Sequence, residues 1–484
     1  MHLLPVQRVL GILLMLFSLT MLAPAAVDLW YRENSAQPFT VSFAAILAAG
    51  LLAWLPARRC RAPLNLKEAF LIVVLSWAIL CAAAALPFYL LPHPGLALHD
   101  AVFEAVSGLT TTGATVLQNL DSLPRAVLFY RQFLQWLGGL GIIVIAIAIA
   151  PVLGIGGMQL YRTDLLSTAR DTKLMPRIGD TARGLLNIYL LLTALCAVAY
   201  WLAGMSVFDS VAHGFSTMAI GGFSTHDGNL GYFAEQPAVL VVAMVFMLIA
   251  GMNFSLHFIA WRRRSLLAYW KDTEWTVFLS VVGVIALATV AYLLAVGNYD
   301  DAGDSVLLGA FHAVSITTTT GFTAAPHHAW PGFVPMLLLL ASFIGGCAGS
   351  TGGGMKVIRF WLLLKQGLGE MAQLVHPDAK IPVKVNHKAL DVKVVQAVWG
   401  FFSAYVGSLI IIYLLLMGAG LDQETAFSAA AAAINNLGPG LGEVAQHYTG
   451  LNAFCKWVLS FSMLLGRLEV FALLIVFTPM FWRK

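Results

Sequence analysis

Residues 99–116 read HDAVFEAVSGLTTTGATV, and the fold turns on what this run does. It offers about 12 helical residues, which rise about 18 Å at 1.5 Å each. That is roughly half of a hydrocarbon core of about 30 Å. Taken alone, the motif reads as a helix-packing glycine or an ordinary turn. It recurs, however, as FDSVAHGFSTMAIGGFST at 208–225, LLGAFHAVSITTTTGFTA at 307–324 and ETAFSAAAAAINNLGPGL at 424–441. Aligned on Gly113, Gly222, Gly321 and Gly438, three of the four carry serine six residues earlier, at Ser107, Ser216 and Ser315, and Ala432 takes that place in the fourth. A unit that repeats along the chain sets the architecture.

Each short segment lies between two long apolar runs: 68–91 and 127–150, 185–203 and 237–260, 275–296 and 334–364, 395–418 and 454–478. Two more apolar runs, near 6–30 and 39–56, precede them. Of the 484 residues, 59% are hydrophobic and 11% charged, against roughly 25% charged in a soluble domain. This is the composition of a polytopic membrane protein. The first apolar run exceeds a typical signal-peptide core and reads as a retained helix. Cys60, Cys81, Cys196, Cys347 and Cys455 are widely separated and form no CxxC pair, so neither a disulfide framework nor a zinc site is expected.

The charges fix the topology. Basic residues cluster at Arg58, Arg59, Arg61 and Lys67; at Arg162, Arg170, Lys173, Arg177 and Arg183; at Arg262 to Arg264 with Lys271; and at Arg359, Lys365, Lys380, Lys384, Lys388 and Lys393, with Arg483 and Lys484 ending the chain. If basic connectors face the cytoplasm, an even number of crossings separates consecutive clusters. The short segments therefore enter from outside and return. The expected fold is an all-α polytopic membrane protein. It has a helix pair over 1–60 and four repeats of spanning helix, half-membrane helix and spanning helix, over 61–153, 154–260, 261–366 and 367–484, around one pore. Both termini are then cytoplasmic.

A chain that turns back inside a bilayer exposes amides and carbonyls that lipid cannot satisfy, so such backbone persists only where it lines water or binds something. Four turns around one axis would offer rings of carbonyl oxygens to a dehydrated monovalent cation. Glycine supplies the backbone angles and leaves the passage open. The C-terminal end of each half-helix carries partial negative charge that favours a cation.

The segments SGLTTTGAT, TMAIGGFST, SITTTTGFT and INNLGPGL, together with GGCAGSTGGGMK and LLGRLEVF, resemble the Trk/Ktr/HKT superfamily of bacterial, fungal and plant cation transporters over nearly the whole chain. Within it they are most similar to the TrkH branch, membrane subunits of bacterial potassium uptake. The resemblance implies a selectivity filter for K⁺ with one glycine per repeat: Gly113, Gly222, Gly321 and Gly438. Filter carbonyls would come from Thr111, Thr112, Ile220, Gly221, Thr319, Thr320, Asn436 and Leu437. Only repeats one and three carry threonine runs, so weaker discrimination against Na⁺ or Rb⁺ is expected than in a channel with four identical filter strands.

The stretch FIGGCAGSTGGGMKVIRF at 343–360 interrupts the second long helix of the third repeat. A phosphate loop would need GxxxxGK[ST] after a strand, but Met355 separates Gly354 from Lys356 and the preceding run is apolar. A Ser350 or Cys347 nucleophile lacks a converging histidine, so no enzyme is expected. The loop, with Gly345, Gly346, Gly349, Gly352, Gly353 and Gly354, is expected at membrane depth beneath the filter, followed by Lys356. Arg467 lies within WVLSFSMLLGRLEVFALLIVF, where an unpartnered charge costs at least about 2.5–3.5 kcal/mol. Glu469, two residues on, faces elsewhere on a helix. Either another carboxylate pairs with Arg467, or the arginine faces the pore. The resemblance implies the latter, with the loop and Arg467 forming a gate.

Asp100, Glu104, Asp209 and Asp227 fit an outer mouth or a solvated surface, and His213 and His312 fit buried polar contacts better than a proton relay. The basic connectors 154–184 and 359–393 suit a docked regulator or anionic headgroups. The resemblance implies a homodimer with one pore per protomer and a cytosolic ring of TrkA-like subunits that bind nucleotide. No cofactor is expected on this chain, which lacks a Rossmann fingerprint, and no nucleic-acid partner is expected. A secondary symporter coupled to H⁺ or Na⁺ is the rival; inverted repeats would be its usual signature, whereas these four repeats share one direction.

Overall fold

A computed structural model describes residues 3–60, 65–148, 178–379, 381–386 and 388–483. Arg61, Arg162, Arg170, Lys173, Arg177, Lys380 and Lys484, and most of the connector 154–184, lie outside the described residues.

The chain begins with α1 (Leu3–Thr20) and α2 (Leu22–Tyr31), which together make one long apolar span, followed by α3 (Gln37–Ala57). α1 and α3 pack backbone to backbone. A Cβ on Gly11 would lie 2.9 Å from the Gly50 carbonyl oxygen, and one on Gly50 3.0 Å from that of Gly11. Small residues allow this close approach in apolar surroundings, where association rests on packing.

The first repeat comprises α4 (Leu66–Leu90), the short α5 (Leu98–Leu109) and α6 (Arg125–Ala148). α4 starts with a capping box in which Asn65 and Glu68 satisfy each other's backbone amides, removing two of the unpaired donors at a helix start. The second repeat has α7 (Ile178–Leu202), the short α8 (Val207–Met218), α9 (Pro237–Ala250) and α10 (Phe254–Arg263). The third has α11 (Thr273–Val296), the short α12 (Ala302–Thr317), α13 (Val334–Ala341) and α14 (Val357–Val375). The fourth has α15 (Val392–Gly418), the short α16 (Gln423–Asn435) and α17 (Ala453–Arg467). A two-residue antiparallel hairpin, Lys384–Val385 with Lys388–Ala389, lies between α14 and α15. Among the described residues, six helices are long and apolar enough to cross a membrane, and two bent pairs would add two more spans.

Three helix expectations need correction. The run 237–260 is not one helix: α9 and α10 meet at 89°. Gly251 ends the first, and the Asn253 side chain caps the second by accepting from the Ser255 amide. The run 454–478 is likewise bent by 109° after Arg467, because Glu469 and Val470 take φ of 56° and 44°, angles a right-handed helix cannot use. The third short helix has 16 residues rather than about 12. By contrast, the break in the third repeat falls where the glycines place it, between α13 and α14.

The aligned small residues Ser107, Ser216, Ser315 and Ala432 are all fully buried. The short helices sit inside the bundle, with the longer ones outside them.

Candidate permeation site

The four short helices end in the same way. The Thr112 amide donates to the Ser107 carbonyl at 2.8 Å and the Thr111 amide to Gly108 at 3.0 Å. The pattern recurs in Gly221 to Ser216 and Ile220 to Thr217, in Thr320 to Ser315 and Thr319 to Ile316, and in Leu437 to Ala432 and Asn436 to Ala433. This is the Schellman motif, whose left-handed residue is usually glycine or asparagine. Here it is Thr111 (φ 56°), Ile220 (53°), Thr319 (66°) and Asn436 (54°). Three of the four are β-branched, for which a positive φ is a genuine outlier. Such strain persists only where the surrounding structure enforces it.

Two residues later stand Gly113, Gly222, Gly321 and Gly438, with φ of 86°, 77°, 80° and 94°. They form a closed ring. A Cβ on Gly113 would lie 2.1 Å from the Gly221 carbonyl oxygen, one on Gly222 2.1 Å from that of Thr320, and one on Gly321 2.0 Å from that of Leu437. One on Gly438 would lie 2.7 Å from that of Thr112, which closes the circuit. Each glycine is thus pressed against the next repeat's strand, and no side chain fits. The twelve residues 111–113, 220–222, 319–321 and 436–438 are brought together at one place.

Behind the ring, the supports differ. Thr110 and Thr112 hydroxyls pair at 2.7 Å, as do Thr318 and Thr320. In the second repeat the Gln135 amide from α6 donates to the Gly221 carbonyl at 2.6 Å. In the fourth, Asn436 Nδ2 donates to Thr112 Oγ1 at 3.0 Å and to the Met463 carbonyl at 2.9 Å. Tyr448 Oη donates to the Gly438 carbonyl at 2.7 Å.

The glycine loop of the third repeat lies against the C-terminal ends of three short helices. Thr351 Oγ1 donates to the Met218 carbonyl at 3.0 Å, the Gly353 amide to Thr319 Oγ1 at 2.7 Å and the Gly354 amide to the Asn435 carbonyl at 3.0 Å. Gly352 packs against Thr318, since a Cβ there would be 3.1 Å from its carbonyl oxygen. Gly345 and Gly354 touch each other, Gly349 lies against the Asn253 side chain, and Gly346 lies near Gly251. The unforeseen break between α9 and α10 is a docking point for this loop. The Cys347 amide donates to the Gly251 carbonyl at 2.9 Å and the Phe254 amide to the Gly349 carbonyl at 3.2 Å.

Two cations flank the loop. Arg467, 4% exposed, donates from Nη1 to the Thr351 carbonyl at 2.8 Å and from Nη2 to the Gly138 carbonyl at 3.4 Å. Lys356 donates from Nζ to the Gly352 carbonyl. Glu469 pairs instead with Arg359, at 2.5 Å. Among the described contacts, Arg467 bonds carbonyls and no carboxylate.

The remaining candidates divide. Glu104 is not a solvated surface carboxylate: it is fully buried, paired with Arg131 at 2.7 Å, and accepts from the Val116 amide at 2.9 Å. Asp100 is paired with Lys456 at 2.6 Å. Asp209 accepts from Thr225 and lies 3.5 Å from His226, and the Asp227 amide bonds Asp121 at 3.4 Å. His213 contacts the Asp209 carbonyl and Ser224 Oγ, each at 2.9 Å; His312 contacts the Leu308 carbonyl at 2.9 Å and the Ala324 amide at 3.3 Å. Both are buried polar contacts. Sequence reasoning passed over Arg131, Gln132 and Gln135, although three polar residues inside the apolar α6 are themselves a signal for function. It also passed over Glu274, whose carboxylate accepts from the Ala348 amide at 2.6 Å.

The TrkH family model, described as a cation transport protein, matches residues 35–484. The chain belongs to this family. The Trk system potassium uptake protein TrkH of Vibrio parahaemolyticus is 53% identical over 99% of both chains. TrkH of Escherichia coli K12 is 49% identical over the full length of both, and TrkG of the same strain is 40% identical over 100% of this chain and 99% of its own. The crystal structure of the potassium transporter TrkH from Vibrio parahaemolyticus superposes with a TM-score of 0.93 at 51% identity, over all of both chains. As a TrkH-family member the chain is a multi-pass membrane transport protein and not an enzyme.

Proposed function

We propose that this chain takes up K⁺ across a bacterial cytoplasmic membrane, and that the ring at Gly113, Gly222, Gly321 and Gly438 is its selectivity filter. The closed circuit of glycine against neighbouring carbonyl carries the reading. It places four strands of backbone around one axis, with no room for side chains between them. Backbone oxygens of residues 111–113, 220–222, 319–321 and 436–438 can then replace part of a cation's hydration shell. The names of the relatives support K⁺ as the ion.

The loop at 345–354 with Lys356 and Arg467 is the gate in this reading. It lies across the ends of three short helices and carries two positive charges, which repel a cation leaving the filter. Opening requires Arg467 to release the Thr351 carbonyl, so the loop moves away from the arginine. The protein works with partner subunits, which the naming of its relatives as parts of a Trk system supports. That these are a second copy of the chain and cytosolic TrkA-like, nucleotide-binding subunits follows from the family resemblance alone. Both termini are cytoplasmic, following the basic connectors.

Purified protein in liposomes, assayed for K⁺, Rb⁺ and Na⁺ flux with and without a proton gradient, tests the function. Channel-like uptake is expected, with K⁺ and Rb⁺ ahead of Na⁺ and no need for a gradient. Flux that stops without the gradient would replace this with H⁺-coupled symport, and equal flux of all three ions would defeat the filter assignment.

A further inference from the structure

The four filter strands are not chemically equivalent, and the second lacks a side chain where the other three have one, threonine in two of them and Leu437 in the fourth. The position before the filter glycine is Thr112 in the first repeat, Thr320 in the third and Gly221 in the second. In the first and third repeats that threonine is locked at 2.7 Å to the hydroxyl two residues earlier, Thr110 or Thr318. In the second repeat the residue two earlier is Ala219, so neither partner of the pair exists.

The missing volume is filled from another helix. A Cβ on Gly221 would fall 2.4 Å from Gln135 Cδ, 2.5 Å from its Oε1 and 2.7 Å from its Nε2. The carboxamide of Gln135 thus occupies the space that a threonine side chain at 221 would take. It also makes the bonds. Nε2 donates to the Gly221 carbonyl at 2.6 Å, while Oε1 accepts from the Ser216 hydroxyl and from the Phe223 amide at 3.2 Å. Gln135 is fully buried, where a polar group persists only if its bonds are made. Gly221 has no positive φ, so its backbone does not demand glycine. What demands it is the neighbouring amide.

The register of the helices agrees. α6 approaches the first short helix so closely that a Cβ on Gly138 would be 1.9 Å from the Leu109 carbonyl oxygen. α17 approaches the fourth in the same way, with Gly466 at 2.1 Å from Ile434. Three residues before these glycines stand Gln135 and Met463. Glutamine thus backs the strand that lacks threonine, and methionine holds the matching place on α17, the last helix of repeat four.

We propose that Gln135 is a positioning residue for ion selectivity, supplying to the second filter strand the support that threonine supplies to the first and third. It does not touch the ion. It aims and tethers the Gly221 carbonyl, which in turn abuts Gly113 and completes the ring. The assignment rests on the filter proposed above.

The test is flux selectivity in liposomes for four variants, Gln135→Glu, Gln135→Ala, Gly221→Thr and the last two combined, with gel-filtration behaviour and thermal unfolding as checks of folding. Gln135→Glu keeps the shape and the acceptor oxygen but loses the donor to Gly221. Its K⁺-to-Na⁺ flux ratio should fall about fivefold, the effect of one ordinary net hydrogen bond. Gly221→Thr inserts a side chain into the space Gln135 occupies and should also lose selectivity. Combining Gly221→Thr with Gln135→Ala vacates that space and gives the strand its own hydroxyl, so the ratio should recover above either of its single variants. A wild-type ratio in Gln135→Glu, or a double variant no better than the two singles, would overturn the proposal. If the unaltered protein does not discriminate K⁺ from Na⁺, or Gly113→Ser leaves its ratio unchanged, the filter reading itself fails and this inference falls with it.

Discussion

Arg467 Nη1 lies 2.8 Å from the Thr351 carbonyl oxygen, joining the last residue of α17 to the glycine loop of the third repeat. A charge-assisted hydrogen bond of this kind contributes about 1.5–3 kcal/mol, and each 1.4 kcal/mol is a factor of ten in an equilibrium. Arg467→Ala should therefore shift the gate toward open by about ten- to a hundredfold at most. Single-channel or liposome K⁺ flux checks this; unchanged or reduced flux in folded protein would count against the gate.

The loop's seat can be disturbed without touching a charge. A Cβ on Gly353 would lie 1.9 Å from the Asn435 carbonyl oxygen, yet the backbone there has no left-handed angle. Gly353→Ala should lift the loop from the fourth short helix and raise basal flux. Gly367→Ala is the control, because a Cβ at 367 meets nothing within 4 Å. Equal flux in the two variants would show that the loop does not close the path.

Glu104 and Arg131 form an ion pair in which both side chains are almost wholly buried, 0% and 1% exposed. Removing one partner leaves an uncompensated charge, which costs roughly 3–5 kcal/mol. Glu104→Gln should lower the thermal unfolding midpoint in detergent markedly. Replacing both residues by methionine should recover much of that loss, since an apolar pair of similar volume needs no desolvation. A double variant as unstable as the single would contradict this.

His226, in the connector after the second short helix, lies 2.5 Å from Asp121 and 3.5 Å from Asp209 and stacks on Tyr232. Burial opposes its charge, but the two carboxylates outweigh burial and raise its pKa above 6.5. A raised pKa means that the protonated ring favours the folded state. Its contribution is complete below pH 6.5 and fades as the pH rises through the elevated value. Thermal unfolding followed against pH should therefore show wild type losing stability relative to His226→Gln across that window. Parallel curves would refute the bridge.

Much of the fold was legible because its signals are long and repeated. Four short segments between apolar runs dictate four short helices, and the glycine after each marks a turn. What stayed hidden depends on contacts between repeats. The bends after Ala250 and Arg467 occur inside runs apolar enough to read as single spans. Each bend bears on the loop region: Gly251 and Asn253 by binding the loop itself, and Glu469 by pairing with Arg359. Glu104 reads as a surface carboxylate until Arg131, from another helix, is placed beside it. Gln135 is visible as a polar residue on an apolar helix, but its role follows only from the gap at Gly221.

The most direct test of the central claim is the K⁺-to-Na⁺ flux ratio of Gly113→Ser in liposomes, measured on protein that elutes and melts like wild type. A serine side chain at 113 cannot coexist with the Gly221 carbonyl 2.1 Å from its Cβ position, so the ring must distort and K⁺ preference must fall. An unaltered ratio would mean that the ions do not pass through the ring of glycines.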